Sequence, residues 1–194
     1  MQEHATIVDQ PIADLSPRAL TYAFLEQFDA DGSHHQSHVC TVTEILDGTV
    51  SLKGKRVAII GSGMTGLETA EKLAEDGNRI LIVEMMDQIG PGAHSQHLDD
   101  VLPRLKAYAA DFITSHKLVK ITAAGIILEN TVSGQHREEK TDHVVLSVGV
   151  RSNDKLAKEL EPHFDRLYTI GDARKVGRIA QAVRDGFDTA WNLM

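Results

Sequence analysis

The chain has 194 residues, a formal charge of −8 from 20 basic and 28 acidic side chains, 42% hydrophobic residues and one cysteine. A lone cysteine excludes an internal disulfide, a CxxC redox pair and a thiolate metal cluster, and no apolar run approaches the ~20 residues of a membrane span. An acidic chain without a basic stripe suits no nucleic-acid partner, and Met1–Gln10 lack the basic and apolar regions of a signal peptide, so a cytoplasmic protein is expected.

Residues 1–53 are mixed and rich in turn formers. A helix is predicted around Pro17–Phe28, a polar loop from Asp29 to His38, and a short helix over Thr43–Leu46 that ends at Asp47-Gly48. The character changes at Lys53-Gly54. Val57–Ile60 is a short continuous apolar run, as a parallel strand buried on both faces requires. Glycines follow at once, then Leu67, Ala70, Leu73 and Ala74 at helical spacing, stopped by Asp76-Gly77-Asn78. Ile80–Val83 reads as a second buried strand. Residues 95–109 form a predicted amphipathic helix with Leu98, Val101, Leu102, Leu105 and Ala109 on one face; Pro103 either kinks it or marks its first turn.

Phe112-Ile113, Val119–Ile121, Ile126–Leu128 and Arg137–Lys140 read as a β-meander with a turn at Ser133-Gly134, and Val144–Leu146 as another buried strand. Beyond it come a short helix over Leu156–Leu160, a strand over Leu167–Ile170 ending in Gly171-Asp172, and a terminal helix carrying Ile179, Ala182, Val183, Phe187, Ala190 and Trp191. Strands alternating with helices predict an α/β fold: a Rossmann-like, three-layer parallel sheet with a β-meander.

Gly61-Ser62-Gly63-Met64-Thr65-Gly66 satisfies G-x-G-x-x-G directly after a buried strand and at the opening of a helix, the context that gives the pattern meaning. The first glycine permits the tight turn, the second lets backbone approach a pyrophosphate, and the third lets helix pack on strand. Free amides and the positive end of the helix then meet phosphate charge. Glu84 closes the second strand, where an acid accepts hydrogen bonds from ribose hydroxyls and repels a 2′-phosphate. Met85 and Met86 beside it offer no cation, so NAD is expected over NADP. The plain alternative is a tightened turn and a solvated strand end.

The segments GKRVAIIGSGMTGLETAEKLAEDGNRILIVEMMDQIGPG, HVVLSVGVRSN and LYTIGDAR resemble the two-dinucleotide flavoproteins of the pyridine nucleotide-disulfide oxidoreductase superfamily. Within it they are most similar to the C-terminal half of NADH:flavin oxidoreductases related to 2-enoate reductase and 2,4-dienoyl-CoA reductase. The likeness runs from about Val39 to the C-terminus. It implies an NAD(H)-binding domain over 54–148, with 1–53 as a partial FAD-domain-like segment and 149–194 as a C-terminal FAD-domain-like segment. Gly149, with Asn153 four positions on, is similar to the family's G-x-x-P-N return, with Ser152 in place of proline. Gly171-Asp172 looks like the second FAD motif, whose aspartate faces the flavin's ribityl or pyrophosphate region; a turn and helix cap is the plain reading. Glu68 matches the acid of G-x-G-x-x-G-x-E, which the family places near nicotinamide and flavin in a helix's first turn; on its residues alone it reads equally as a surface acid.

Residues 1–53 hold no second G-x-G-x-x-G, and the cysteines of an iron–sulfur cluster are absent, as is a catalytic barrel carrying FMN. The resemblance therefore implies the NAD(H)-binding portion of a flavin-dependent NADH oxidoreductase, positioning nicotinamide for hydride transfer to a flavin, and incomplete as an enzyme alone. FAD is expected only where the missing half of its site is supplied. The implied partners are a nicotinamide dinucleotide and a flavin or flavin domain; a homodimer is expected where the FAD-like segments 1–53 and 151–194 leave apolar area exposed. A small FAD-binding flavoprotein and a non-catalytic nucleotide-binding or dimerisation module are the alternatives. No catalytic acid, base or nucleophile and no metal site is assigned. Cys40 reads as structural, His34, His35 and His38 as a solvated loop, and His94 and His97 as flanking a helix start, with nothing in their spacing that requires contact with a nucleotide.

Overall fold

The computed structural model describes residues 38–150 and 152–193, so the predicted helix at 17–28 and nearly all of the polar loop after it lie outside the described residues. The described residues form two compact units that divide between Val148 and Gly149. Among them, no helix is long and apolar enough to cross a membrane.

In the first unit, β1 (Val39–Thr41) leads into α1 (Val42–Leu46), and then β2 (Arg56–Ile60), α2 (Met64–Glu75), β3 (Arg79–Val83), α3 (Ser95–Ala107) and β4 (Asp111–Ile113) follow. The strands β5 (His116–Thr122), β6 (Gly125–Asn130) and β7 (His136–Lys140) pair antiparallel, and β8 (His143–Leu146) returns to the first sheet. That sheet runs β1-β8-β2-β3-β4 with all neighbours parallel, β2 pairing Val57 with Ile80 on one side and Ala58 with Val144 on the other.

Strand side chains alternate between faces, and both faces here are covered. Val57, Ile59, Ile80, Ile82 and Val145 pack with Leu67, Ala70 and Leu73 of α2 and Val101 and Leu105 of α3. Ala58, Ile60, Leu81, Val83, Val144 and Leu146 pack with Leu118, Ile126 and Leu128 of the three-stranded sheet. Helices, parallel sheet and antiparallel sheet are the three layers. The apolar runs are continuous because each successive residue meets a different layer.

Two local expectations are corrected in this unit. Phe112-Ile113 is not part of the meander: it lies in β4, parallel to β3 through Phe112–Ile82 and Ile113–Val83, with Phe112 on the helix-side core and Ile113 in the other. Burial on both faces is the mark of the parallel sheet. The 95–109 helix stops at Ala107, with Pro103 inside it. Ala109 lies beyond at a left-handed φ of 57°, where Ala110 N–H reaches the Leu105 carbonyl at 3.0 Å and closes the end.

The second unit holds α4 (Lys155–Leu160), 3₁₀ turns at Glu161–His163 and Gly171–Ala173, and α5 (Ile179–Trp191). Leu167–Ile170 is not a strand. Its backbone is extended at Ile170, φ −128° and ψ 165°, but no strand among the described residues pairs with it, and a ladder needs a neighbour. α5 leaves Ile179, Val183, Phe187 and Trp191 exposed, with the Phe187 and Trp191 rings stacked at 5.9 Å.

Candidate functional site

At the carboxyl edge of the parallel sheet the chain turns from β2 to β3 on one side, while β8 flanks β2 on the other. A crevice outside strand ends at such a reversal is where open α/β sheets take ligands. The turn out of β2 needs glycine at two positions. Gly61 has φ 100° and donates its N–H to Val83 O at 2.8 Å, and a side chain there would run into the Ser147 carbonyl. A Cβ at Gly66 would collide with the Gly61 carbonyl oxygen and lie 2.9 Å from Ser147 Oγ, so α2 can pack this close only without one.

Gly63 differs. It is the N-cap of α2 with φ −59° and ψ 173°, and a Cβ built on it meets nothing within 4 Å. No side chain caps the helix, and its first bond runs from Leu67 N–H to Gly63 O at 3.0 Å. The amides of Met64, Thr65 and Gly66 therefore have no intrahelical acceptor. Uncapped donors, the positive end of a twelve-residue helix and open space over Gly63 form a cradle suited to a diphosphate.

Glu84, immediately after β3, is 5% exposed. Its Oε2 accepts from Ser62 N–H at 2.9 Å and Ser62 Oγ–H at 2.7 Å, and its Oε1 accepts from Met86 N–H at 2.9 Å. Ser62 is wholly buried, and its Oγ also accepts from Gly90 N–H at 2.9 Å. The carboxylate is thus a brace between the glycine loop and the segment after β3, not the solvated strand end of the plain reading. Of a carboxylate's roughly four acceptor positions, about one remains, on Oε1. Met85 and Met86 beside it are 58% and 50% exposed.

Glu68 does not stand in the first turn: it is the fifth residue of α2, exposed, with Oε1 3.8 Å from His97 Nε2 on α3. His94 is the N-cap residue of α3. In the second unit, Gly149 is exposed at φ 82°, and Gly171, at φ 61°, donates its N–H to Asp185 Oδ2 at 3.0 Å. Asp185 also accepts from Arg174 Nη1 at 2.6 Å, and Asp172 Oδ1 accepts from Gly177 N–H at 3.1 Å. Gly61 to Gly66 and Glu84 are therefore brought together, Glu68 lies a turn further along α2, and Gly149, Gly171 and Asp172 belong to the other unit.

Sequence reasoning missed Ser147, whose backbone N–H bonds Ile60 O at 2.8 Å and whose carbonyl and hydroxyl bound the glycine turn. The one signal was a polar residue ending an apolar strand. Asp185 gave none, being 14 positions from the glycine it holds. Cys40 is buried, and burial followed by the Glu44 carboxylate pushes its thiol up to about 12, which favours the neutral thiol over the nucleophilic thiolate. His38 Nε2 lies 3.2 Å from Thr122 O; His34 and His35 fall outside the described residues. Among the described residues no group of three His, Cys, Asp or Glu side chains is placed to hold a metal ion.

Comparison with known proteins agrees with this architecture. The family model described as pyridine nucleotide-disulphide oxidoreductase matches residues 23–186. The chain is 32% identical over 152 residues to an NADH oxidase of Thermoanaerobacter brockii, covering 77% of this chain and 23% of that protein. It is 33% identical over 144 residues to a cinnamate reductase of Clostridium sporogenes, covering 72% and 21%. The chain thus spans under a quarter of the length of these curated relatives. Among solved structures, the 6-hydroxypseudooxynicotine amine oxidase of Pseudomonas geniculata N1 superposes with a TM-score of 0.70 at 24% identity, over 80% of this chain and 24% of that one, a likeness of fold.

Proposed function

The chain belongs to the pyridine nucleotide-disulphide oxidoreductase family, and from that membership we propose that residues 54–148 are its NAD(H)-binding domain. The observation that carries the proposal is the cradle: amides of Met64, Thr65 and Gly66 without helical acceptors, beneath open space at Gly63, at the carboxyl edge of a parallel sheet. Those residues fit a dinucleotide diphosphate. Gly61 and Gly66 hold the turn and helix close enough for the amides to converge, and Ser62 braces Glu84. Glu84 offers its remaining acceptor to a ribose hydroxyl and repels a 2′-phosphate, so NADH is preferred over NADPH.

When bound, the nicotinamide supplies a hydride for a flavin, and the protein's contribution is placement and electrostatics. In this reading Glu68, on the exposed face of α2, lies toward the nicotinamide end, and Gly149, Gly171 and Asp172 belong to an FAD-domain segment over 149–194 whose flavin site needs further partners. Residues 1–53 are the other FAD-domain-like segment. NAD(H) binding without independent turnover is the expected behaviour of the chain by itself. Homodimerisation is part of the proposal on account of the exposed Ile179, Val183, Phe187 and Trp191. The cytoplasm is the proposed compartment, since it keeps both a lone thiol and reduced pyridine nucleotide.

Isothermal titration with NADH and with NADPH tests the reading. Tighter binding of NADH is expected. Equal affinities would remove the role given to Glu84, and binding of neither would remove the dinucleotide site. Size-exclusion chromatography with and without NADH reads the oligomeric state.

A further inference from the structure

We infer that Ser62 is the positioning residue that sets nucleotide preference, its hydroxyl fixing the Glu84 carboxylate so that the site takes a ribose diol and rejects a ribose 2′-phosphate. The inference rests on the reading of the glycine loop and Glu84 as a pyridine nucleotide site. The second position of the glycine fingerprint asks for no particular side chain, yet Ser62 is wholly buried and every polar atom of its side chain is used. The hydroxyl donates to Glu84 Oε2 at 2.7 Å and accepts from Gly90 N–H at 2.9 Å, while the Ser62 amide reaches the same Oε2 at 2.9 Å. One side chain thus ties together the loop after β2, the acid after β3 and the segment that leads to α3.

Two consequences follow for a ligand. With both Ser62 donors on Oε2, the acceptor left to a ribose is on Oε1, beside the Met86 amide. A hydroxyl brings a proton and can use it; a phosphate brings acceptors and negative charge. Second, the bond to Gly90, a residue at φ 71°, holds the segment from Met85 to Gly92 against the acid. That segment contains no lysine or arginine, so what Ser62 draws to the site supplies no cation for a 2′-phosphate.

The test is NADH and NADPH titration, with thermal denaturation alongside, on the full chain and on Ser62→Ala, Glu84→Gln and the double variant. Ser62→Ala is expected to weaken NADH about tenfold, the cost of a lost hydrogen bond to a charged group, and to change NADPH less than about twofold, so that the NADH:NADPH preference falls. In the double variant the preference falls no further than in Glu84→Gln, since the hydroxyl acts through the carboxylate. Ser62→Cys, similar in shape with a weaker donor, gives an intermediate preference and carries the test should the alanine variant not fold. A merely structural Ser62 would weaken both nucleotides alike. Unchanged preference in Ser62→Ala and Ser62→Cys, or losses that add in the double variant, overturns the inference while leaving the site reading intact. A wild-type chain that binds neither nucleotide overturns both.

Discussion

Alanine at Gly63 and alanine at Gly66 are expected to have opposite effects, although the two glycines lie three residues apart in one loop. At Gly63 the backbone, φ −59° and ψ 173°, accepts an L side chain, and the new methyl meets nothing within 4 Å. Restricting the unfolded chain contributes roughly 0.4–1 kcal/mol, and alanine's poorer performance as an N-cap costs a similar amount, so the melting temperature stays within a few degrees of wild type. The methyl, however, fills the space through which a diphosphate would approach the amides of Met64 and Thr65. Losing one hydrogen bond to a charged group costs about 1.5–3 kcal/mol, so NADH should bind about tenfold to a hundredfold more weakly. At Gly66 the balance reverses. Helix propensity favours alanine by roughly 0.5–1 kcal/mol, but its Cβ would collide with the Gly61 carbonyl and lie 2.9 Å from Ser147 Oγ and 3.2 Å from Ser147 Cβ. Forcing α2 away from the turn costs about 1–3 kcal/mol, which at mid-range leaves a net loss of about 1 kcal/mol and about 2–4 °C for a chain of this size. Thermal melts and NADH titration on both variants decide the matter. Wild-type affinity in Gly63→Ala would refute the diphosphate cradle, and a Gly66→Ala melting point at or above wild type would refute the close approach of helix to turn.

The raised thiol of Cys40 favours the neutral form in the folded state, so its contribution is whole below 9.0 and is lost as pH rises from there toward about 12. Cys40→Ala should flatten that alkaline limb of stability in urea titrations, and native Cys40 should react with a thiol reagent far more slowly than in denaturant. His143 is held below its ordinary value of 6.5 by burial first and then by Lys55 and His38, with Asp142 opposing. Its folded-state value is depressed, so stability is present above that ordinary value and falls as pH drops through it; His143→Gln should flatten the acid limb. Leu105, with no exposure in the helix-side core, should lose about 2–5 kcal/mol on replacement by alanine, read by urea unfolding.

The parts of this fold legible in the sequence were those where a local pattern has one physical solution. Val57–Ile60 and Ile80–Val83 are apolar at every position because one layer covers odd residues and another covers even ones, and only a strand inside a three-layer α/β unit meets that condition. The glycine loop was legible for the same reason: turn, close approach and helix start fall at fixed spacing. Phe112-Ile113 was misplaced because a run of that length shows burial but not the direction of its partner, and pairing is a property of the tertiary fold. Leu167–Ile170 has the composition of a strand and an extended backbone, but composition supplies no neighbouring ladder.

Glu84 is the instructive case. An acid at a strand end predicts a group that accepts hydrogen bonds, and it does accept them; what sequence cannot show is that the first donors in line are the protein's own, from a serine 22 positions earlier and an amide two positions later. Brace and ribose acceptor are compatible only because three bonds leave about one acceptor position open. This makes a prediction that a freely solvated acid would not share. A nucleotide lacking one ribose hydroxyl should lose nearly all of the acid's contribution when the missing group is the one that reaches Oε1, and almost none when it is the other. Titration with the 2′-deoxy and 3′-deoxy adenosine forms of NADH measures this directly; equal losses from both would mean that the brace opens on binding and that Glu84 turns to hold the diol with both oxygens.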